Sequence, residues 1–367
     1  MSLDLVPMDV GGRLDRMRDR MDDDGLDAML VTHLTNIRYL TGFTGTAAVL
    51  LVTSDDALFV TDGRYGDQSA DQLRSAGVAA RIEVASEGQR DVVVAAAGRA
   101  SVIGLEADHV TWAAARRYGD EWFTDAEVVP TTGLTEGLRI VKDEGEIDRI
   151  RVACGIADDA LAEVRHRLLD RPTEREFAFE LDMAIRRLGA SGNSFETIVA
   201  SGPNGSRPHH RPSDRVVEEG DLVVVDFGAV VDGYCSDMTR TVMVGVATPT
   251  QSRMLATVLE AQAAGVAAVR AGVGARDVDA ACRVVIDEAG WGAAFSHGTG
   301  HGVGLDIHES PRVAKTSGDT LAAGHIVTVE PGVYLPEHGG VRIEDTVVVT
   351  DAGCEPLTLT SKATSIA

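Results

Sequence analysis

Apolar residues in the first third of the chain come in short blocks. AMLVT (28–32), AAVLLVT (47–53), ALFVT (57–61), ARIEVA (80–85) and SVIGLE (101–106) are β-rich runs of strand length. Leu14, Met17 and Met21 instead recur at helical spacing, and Gly25 closes that segment. TWAAARRYGDEW (111–122) reads as a helix and 125–131 as a strand. Helices interleaved with strands predict a compact α/β domain on a largely parallel or mixed sheet.

The pattern changes after a boundary near 132–141. Residues 142–169 read as one long helix, and Pro172-Thr173 restarts a second that runs to about Gly189. Strands are expected at 195–200 and across 222–244. A second helix pair is expected at 251–271 and 276–289, then strands at 303–307, 325–334 and 341–350. Helix–helix–strands thus occurs twice, which hints at a duplicated half-domain without a repeat in the residues themselves. The division expected is an N-terminal α/β domain at 1–135 and an α+β domain at 136–367.

Composition narrows the function classes. A length of 367 residues suits two domains. The net charge of −23 disfavours nucleic acid and anionic membranes as partners, because like charges repel. No apolar run approaches the ~18–20 residues of a membrane span. MSLDLVPMDVGG lacks the regions of a signal peptide, and the four cysteines are scattered, so a reduced, cytoplasmic setting is expected. No GxGxxG or GxxxxGK[ST] supports a nucleotide loop.

The chemistry gathers after residue 200, where seven of the ten histidines lie. Asp226 ends the apolar run 222–225, and Asp237 follows a turn signal at Asp232-Gly233. A two-residue turn there sets Asp226 opposite Thr239 and Asp237 opposite Gly228, so the carboxylates share one face as a diagonal pair. A charge beside a buried strand is costly unless it is paired or metal-bound. Glu330 in IVTVEPG and Glu344 in GGVRIEDT come from adjacent strands joined by a turn at 337–340. His297, His301 and His308 lie in SHGTGHGVGLDIHES, whose glycines are expected to let the backbone approach a ligand. Four carboxylates with an imidazole exceed what one divalent ion needs. They suit two ions ~3.5–4 Å apart, a pair that activates water for hydrolysis. The donor set favours Mn²⁺ or Co²⁺ over a thiolate zinc site.

VDFGAVVDGYCSDMTRT, HGTGHGVGLDIHE, TVEPGVYLP and GGVRIEDT, with SGPNGSRPHHRPSDR upstream, resemble the Xaa-Pro peptidases of the pita-bread metallopeptidases. NIRYLTGFTG and TDGRY resemble the N-terminal domain of the same family, so the likeness spans nearly the whole chain. By that resemblance Asp226, Asp237, His301, Glu330 and Glu344 are the metal ligands, with Asp237 and Glu344 bridging two ions. Glu330 is also the general base. His209 and His308 hold the substrate carbonyl and its oxyanion, while His297, Arg342 and Tyr334 line the site. His210, beside His209, is assigned no catalytic part.

The family implies cleavage before proline in small peptides, two divalent ions (Mn²⁺, with Co²⁺ or Zn²⁺ as alternatives) and a homodimer. Xaa-Pro dipeptidase (prolidase) is the reading taken, with Arg312 as one candidate partner for the substrate carboxylate. Xaa-Pro aminopeptidase, acting on longer peptides, is the alternative. Methionine aminopeptidase would not need the N-terminal domain, and metal-free creatinase chemistry would not need all five ligands. A non-enzymatic interaction protein on the same fold would be expected to lack some of them.

Overall fold

The computed structural model describes residues 4–366. Its contacts divide the chain into two units. One is Pro7–Arg139; the other begins at Ile140 and also takes in the stretch up to Val6. Val6 joins the second unit because its N–H donates to Asp148 and its carbonyl accepts from Arg149.

In the first unit, period-two alternation puts Ala28, Leu30, Val49, Leu51, Leu58, Val60, Ile103 and Leu105 into one core with Val93, Tyr118 and Phe123. The strands are β1 (Ala28–Val31), β2 (Ala48–Thr53), β3 (Ala57–Thr61), β4 (Arg81–Val84), β5 (Val102–Glu106) and β6 (Glu127–Thr131). They form one sheet in the order β4-β3-β2-β1-β5-β6. The β1–β2 and β2–β3 pairs are antiparallel and the other three are parallel. The sheet is therefore mixed. Helix α1 (Arg13–Asp23) buries Leu14, Met17 and Met21. The others are α2 (Leu34–Thr41), α3 (Gly66–Ser75), α4 (Gln89–Ala97), α5 (Trp112–Arg117) and α6 (Glu136–Arg139). The helix expected over 111–122 is regular only to Arg117. Beyond it the turn widens, and the Phe123 N–H donates to the Tyr118 carbonyl five residues back.

In the second unit, α7 (Glu144–Val164) and α8 (Glu174–Arg187) each start from a reciprocal cap, at Asp143 with Glu146 and at Thr173 with Glu176. Their apolar faces bury Ala157, Leu161, Phe177 and Leu181 against Val199, Val223, Val225 and Val242. A second core is built by α9 (Pro249–Ala268) and α10 (Ala275–Glu288), through Met254, Val258, Val278 and Cys282, against Val313, Val327, Val329 and Val347. Each helix pair thus covers its own set of strands.

The strands of the first set are β7 (Gly192–Asn193), β8 (Ile198–Ser201), β9 (Leu222–Phe227), β10 (Ala229–Val231), β11 (Tyr234–Cys235) and β12 (Met238–Met243). The second set is β13 (Gly300–Gly302), β14 (Glu309–Val313), β15 (Ile326–Val329), β16 (Gly332–Leu335), β17 (Gly339–Arg342), β18 (Asp345–Val349) and β19 (Cys354–Pro356). The strand expected at 303–307 is a run of bends instead, and pairing occurs earlier, at β13. The expected strands 325–334 and 341–350 are each broken, at Glu330-Pro331 and at Ile343-Glu344. Proline has no N–H for the ladder, which accounts for the first break. Among the described residues no helix is long and apolar enough to cross a membrane.

Candidate metal centre

Two long hairpins deliver the four carboxylates. In the first, β9 pairs with β12 and Asp226 faces Thr239. The same register continues past Asp232-Gly233, where Val231 faces Tyr234. Asp237 falls opposite Gly228, where the ladder opens. A Cβ on Gly228 would sit 1.9 Å from the Ser236 carbonyl oxygen, so only glycine fits there. In the second hairpin, Val329 faces Asp345 and Gly332 faces Arg342. Glu330 and Glu344 occupy the next rung, where that ladder also opens. The hairpins are joined by polar contacts. The Glu344 N–H donates to the Thr239 carbonyl, Thr346 Oγ1 to the Asp237 carbonyl, and the Arg342 N–H to Thr241 Oγ1.

Oxygens of Asp226, Asp237 and Glu344 lie within 4.8 Å of one another. His301 enters from β13, its N–H bonded to Thr328 Oγ1. Its Nδ1 lies 3.0 Å from the Gly302 carbonyl, which can only accept, so Nδ1 carries the proton. Burial holds this ring neutral, with its pKa down to about 4. Nε2 therefore presents a lone pair to Asp237 Oδ2 and Glu330 Oε1, each 3.5 Å away. Three electron-rich atoms facing one another repel unless a cation lies among them. Asp226 Oδ1 and Glu344 Oε1 are buried without a hydrogen-bond partner, which points the same way. Burial, followed by the neighbouring carboxylates, pushes Asp237 and Glu330 well above the usual range and Glu344 up to about 8. The donor set, oxygen-rich with one imidazole, fits divalent cations.

Arg342 braces the cluster. Its guanidinium is buried and donates to Asp226 Oδ2, to Thr239 Oγ1 at 3.1 Å, to the Tyr334 hydroxyl at 2.8 Å and to the Pro208 carbonyl at 3.3 Å. Thr239 Oγ1 in turn donates a hydrogen bond to Glu344 Oε2 at 2.7 Å. Tyr334 accepts from Arg342, so its O–H donates to His297 Nε2, also at 2.8 Å. His297 Nδ1 then donates to the Gly298 carbonyl. Burial lowers His297 to about 4, in keeping with a neutral ring.

His308 is exposed, with its ring 4.4 Å from that of His301. Burial on one side lowers its pKa, with smaller contributions from the charges of His209 and Arg312. His209 is exposed on the loop after the turn Gly202–Ser206, and its charge is felt at both His297 and His308. The structure thus gathers Asp226, Asp237, His301, Glu330 and Glu344 at one point. Arg342, Tyr334 and His297 stand beside them, and His209 and His308 lie at the margin.

Several features depart from the sequence reading or lie beyond it. The glycines at 300 and 302 are required by close packing against neighbouring strands. A Cβ on Gly300 would sit 2.0 Å from the Thr328 oxygen, and one on Gly302 2.2 Å from the Ser310 oxygen. Lys142 and Glu309, the residue after His308, form a buried ion pair at 2.9 Å. His210, set aside above, bonds to the buried Glu174. In the first unit, His33 and His109 stack at 3.6 Å with planes 3° apart, and His109 Nε2 bonds Glu136. Parallel rings keep their lone pairs in two separate planes, so an ion ~2.0–2.1 Å from both nitrogens would lie well out of at least one ring plane. That cluster is a stacked pair held by a carboxylate.

A model of the creatinase/prolidase N-terminal domain matches residues 13–141, and one of metallopeptidase family M24 matches 148–351. A solved Xaa-Pro dipeptidase from Bacillus anthracis is 39% identical with a TM-score of 0.93, over 97% of this chain and 99% of that one. An Xaa-Pro dipeptidase from Pyrococcus furiosus is 34% identical over 95% of this chain and 98% of its own length. A solved X-Pro aminopeptidase from Thermotoga maritima is 34% identical with a TM-score of 0.87, over 95% of this chain and 100% of that one.

Proposed function

The chain belongs to metallopeptidase family M24, and from that premise we propose that it hydrolyses the peptide bond before proline, as an Xaa-Pro dipeptidase. It is a metallopeptidase with a creatinase-type N-terminal domain and a pita-bread catalytic domain, of the kind that works with a dinuclear divalent metal centre. The observation that carries the reading is the His301 lone pair facing Asp237 and Glu330 beside two unpartnered carboxylate oxygens. Asp226, Asp237, His301, Glu330 and Glu344 would hold the ions. Manganese is the metal we assign, with cobalt and zinc as alternatives. When bound, such ions supply Lewis acidity to the scissile carbonyl and strengthen water as an acid.

The protein groups do the rest. Glu330, whose Oε1 lies 3.5 Å from His301 Nε2 in the cluster, carries a proton towards the leaving proline nitrogen. His209 and His308 donate to the oxyanion from the margin of the site. Arg342 holds Asp226 and, through Tyr334, fixes the His297 ring with Nε2 as acceptor. Arg312 is the partner we assign to the carboxylate of a C-terminal proline. It is exposed, and its charge is felt at His301 and His308. We further assign a homodimer, and a cytoplasmic setting consistent with four free cysteines.

Xaa-Pro aminopeptidase is the second reading, supported by the likeness to the Thermotoga maritima enzyme. Hydrolysis of an Xaa-Pro dipeptide and an Xaa-Pro-Xaa tripeptide by the Mn²⁺-loaded protein separates the two. Cleavage of the tripeptide alone would refute the dipeptidase; cleavage of neither would refute the Xaa-Pro reading.

A further inference from the structure

One buried carboxylate outside the metal cluster organises the loop that bears His209. Glu174 is the first residue of α8, where the helix dipole favours an anion, and its side chain is 0% exposed. Oε1 accepts from the Ser201 N–H at 2.7 Å, from Ser201 Oγ at 2.7 Å and from Asn204 Nδ2 at 3.0 Å. Oε2 accepts from Ser213 Oγ at 2.6 Å and the Ser213 N–H at 3.1 Å. His210 Nε2 reaches the same oxygen at 2.9 Å. The Ser213 carbonyl in turn accepts from the Arg175 N–H. One carboxylate thus ties down the start, middle and end of the segment 201–213. Burial raises a carboxyl, yet the donors from Ser213, Ser201 and Asn204 outweigh it and hold Glu174 below its usual range. With both oxygens occupied, Glu174 has no lone pair to spare for a metal.

His209 lies between two anchors. On one side its neighbour His210 is clamped by Glu174. On the other, the Pro208 carbonyl accepts from Arg342, which also grips Asp226. The ring of His209 is exposed while the residues beside it are fixed. We propose that Glu174, acting through His210, is the positioning residue that presents His209 to the substrate. The inference rests on the peptidase reading above and adds to it a group that touches neither metal nor substrate.

The test is a mutant cycle on the metal-loaded enzyme with an Xaa-Pro substrate. Glu174→Gln keeps the shape but turns an NH₂ group towards existing donors. His210→Ala removes a single bond and serves where Glu174→Gln folds poorly. Each is expected to lower kcat/KM by about 10–100-fold, the scale of a misplaced catalytic group. His210→Gln, which keeps a side-chain donor, is expected to recover part of the loss. In a His209→Ala background, neither change should cost more than about twofold, because the group they position is gone. Equal losses in both backgrounds would overturn the proposal. Amide hydrogen exchange is read in parallel. Glu174→Gln should speed exchange across 207–213 and leave α7 protected, and unchanged exchange there would also overturn it. If the native protein cleaves no Xaa-Pro bond, the peptidase reading falls, and exchange alone decides whether Glu174 holds the loop.

Discussion

Thr239→Val removes one hydroxyl and almost no volume. Valine keeps the β-branched shape suited to a strand, so β12 should form unchanged. The hydroxyl donates to Glu344 Oε2 at 2.7 Å and accepts from Arg342 Nε at 3.1 Å, and all three groups are buried. Arg342 retains Asp226, Tyr334 and Pro208 as partners, so its loss is small. Glu344 has no comparable reserve, since Oε1 already lacks a partner. Above the value of about 8 to which burial lifts Glu344, the carboxylate is charged, so unfolding is followed at about pH 9, where losing a hydrogen bond to a charged group costs about 1.5–3 kcal/mol. In the metal-free protein about 2 kcal/mol is expected, a drop of roughly 4–8 °C in Tm for a unit of this size. Groups that orient metal ligands typically contribute about 10–100-fold to metal affinity or activity, so weaker Mn²⁺ binding is also expected. Thermal unfolding with and without chelator, together with calorimetric Mn²⁺ titration, reads both quantities. Thr241→Val is the control, because Thr241 Oγ1 bonds only the Arg342 backbone. It should lower Tm and leave Mn²⁺ affinity alone. A Thr239→Val protein with native Tm and native affinity would refute the reasoning.

His325 accepts the Ala322 N–H on Nδ1, and burial followed by the charge of Lys142 lowers its pKa to about 4. The unfolded chain takes up that proton first, so this contribution is complete above about pH 6.5 and is lost as pH falls towards 4. Urea unfolding across that window should show a shallower pH slope in His325→Leu than in the native protein; equal slopes would exclude His325 as the source. Lys142→Met takes the ammonium away from the buried Glu309 carboxylate, at a cost of about 3 kcal/mol, and adding Glu309→Gln should restore part of it. Denaturant midpoints of the two variants decide this, and a double variant no better than the single would count against the ion pair. Arg312→Ala should raise KM for an Xaa-Pro dipeptide about tenfold and leave a tripeptide unaffected; a parallel rise for both would remove Arg312 from carboxylate recognition.

The legible parts of the sequence were those governed by local periodicity. Asp232-Gly233 set the turn, the turn set the register, and Asp226 faces Thr239 as the spacing implies. Capping residues at Pro172-Thr173 marked the start of α8. What escaped was decided by partners distant in sequence. Glu174 reads as an ordinary residue of a helix first turn until Ser201, His210 and Ser213 close around it. Lys142, one of three lysines, carried no signal until Glu309 lay beside it, 167 residues away. The glycines at 300 and 302 were visible, but whether they approach a ligand or a neighbouring strand is a tertiary fact. The breaks at Glu330 and Glu344 were hidden because the flanking residues continue the strand pattern on both sides.

The division of the acids, two to each hairpin, has a consequence for how the molecule assembles. Each hairpin packs mainly in its own core, with only the Leu222 and Met243 end of the first reaching the other, and each carries a pair of carboxylates. Neither half meets the full repulsion while it forms. The four charges confront one another only when the threonine-lined seam closes, so closure is expected to come late and to be the slow step without a cation. A divalent ion present during refolding should hasten that final docking and leave the earlier, separate collapse of the halves untouched.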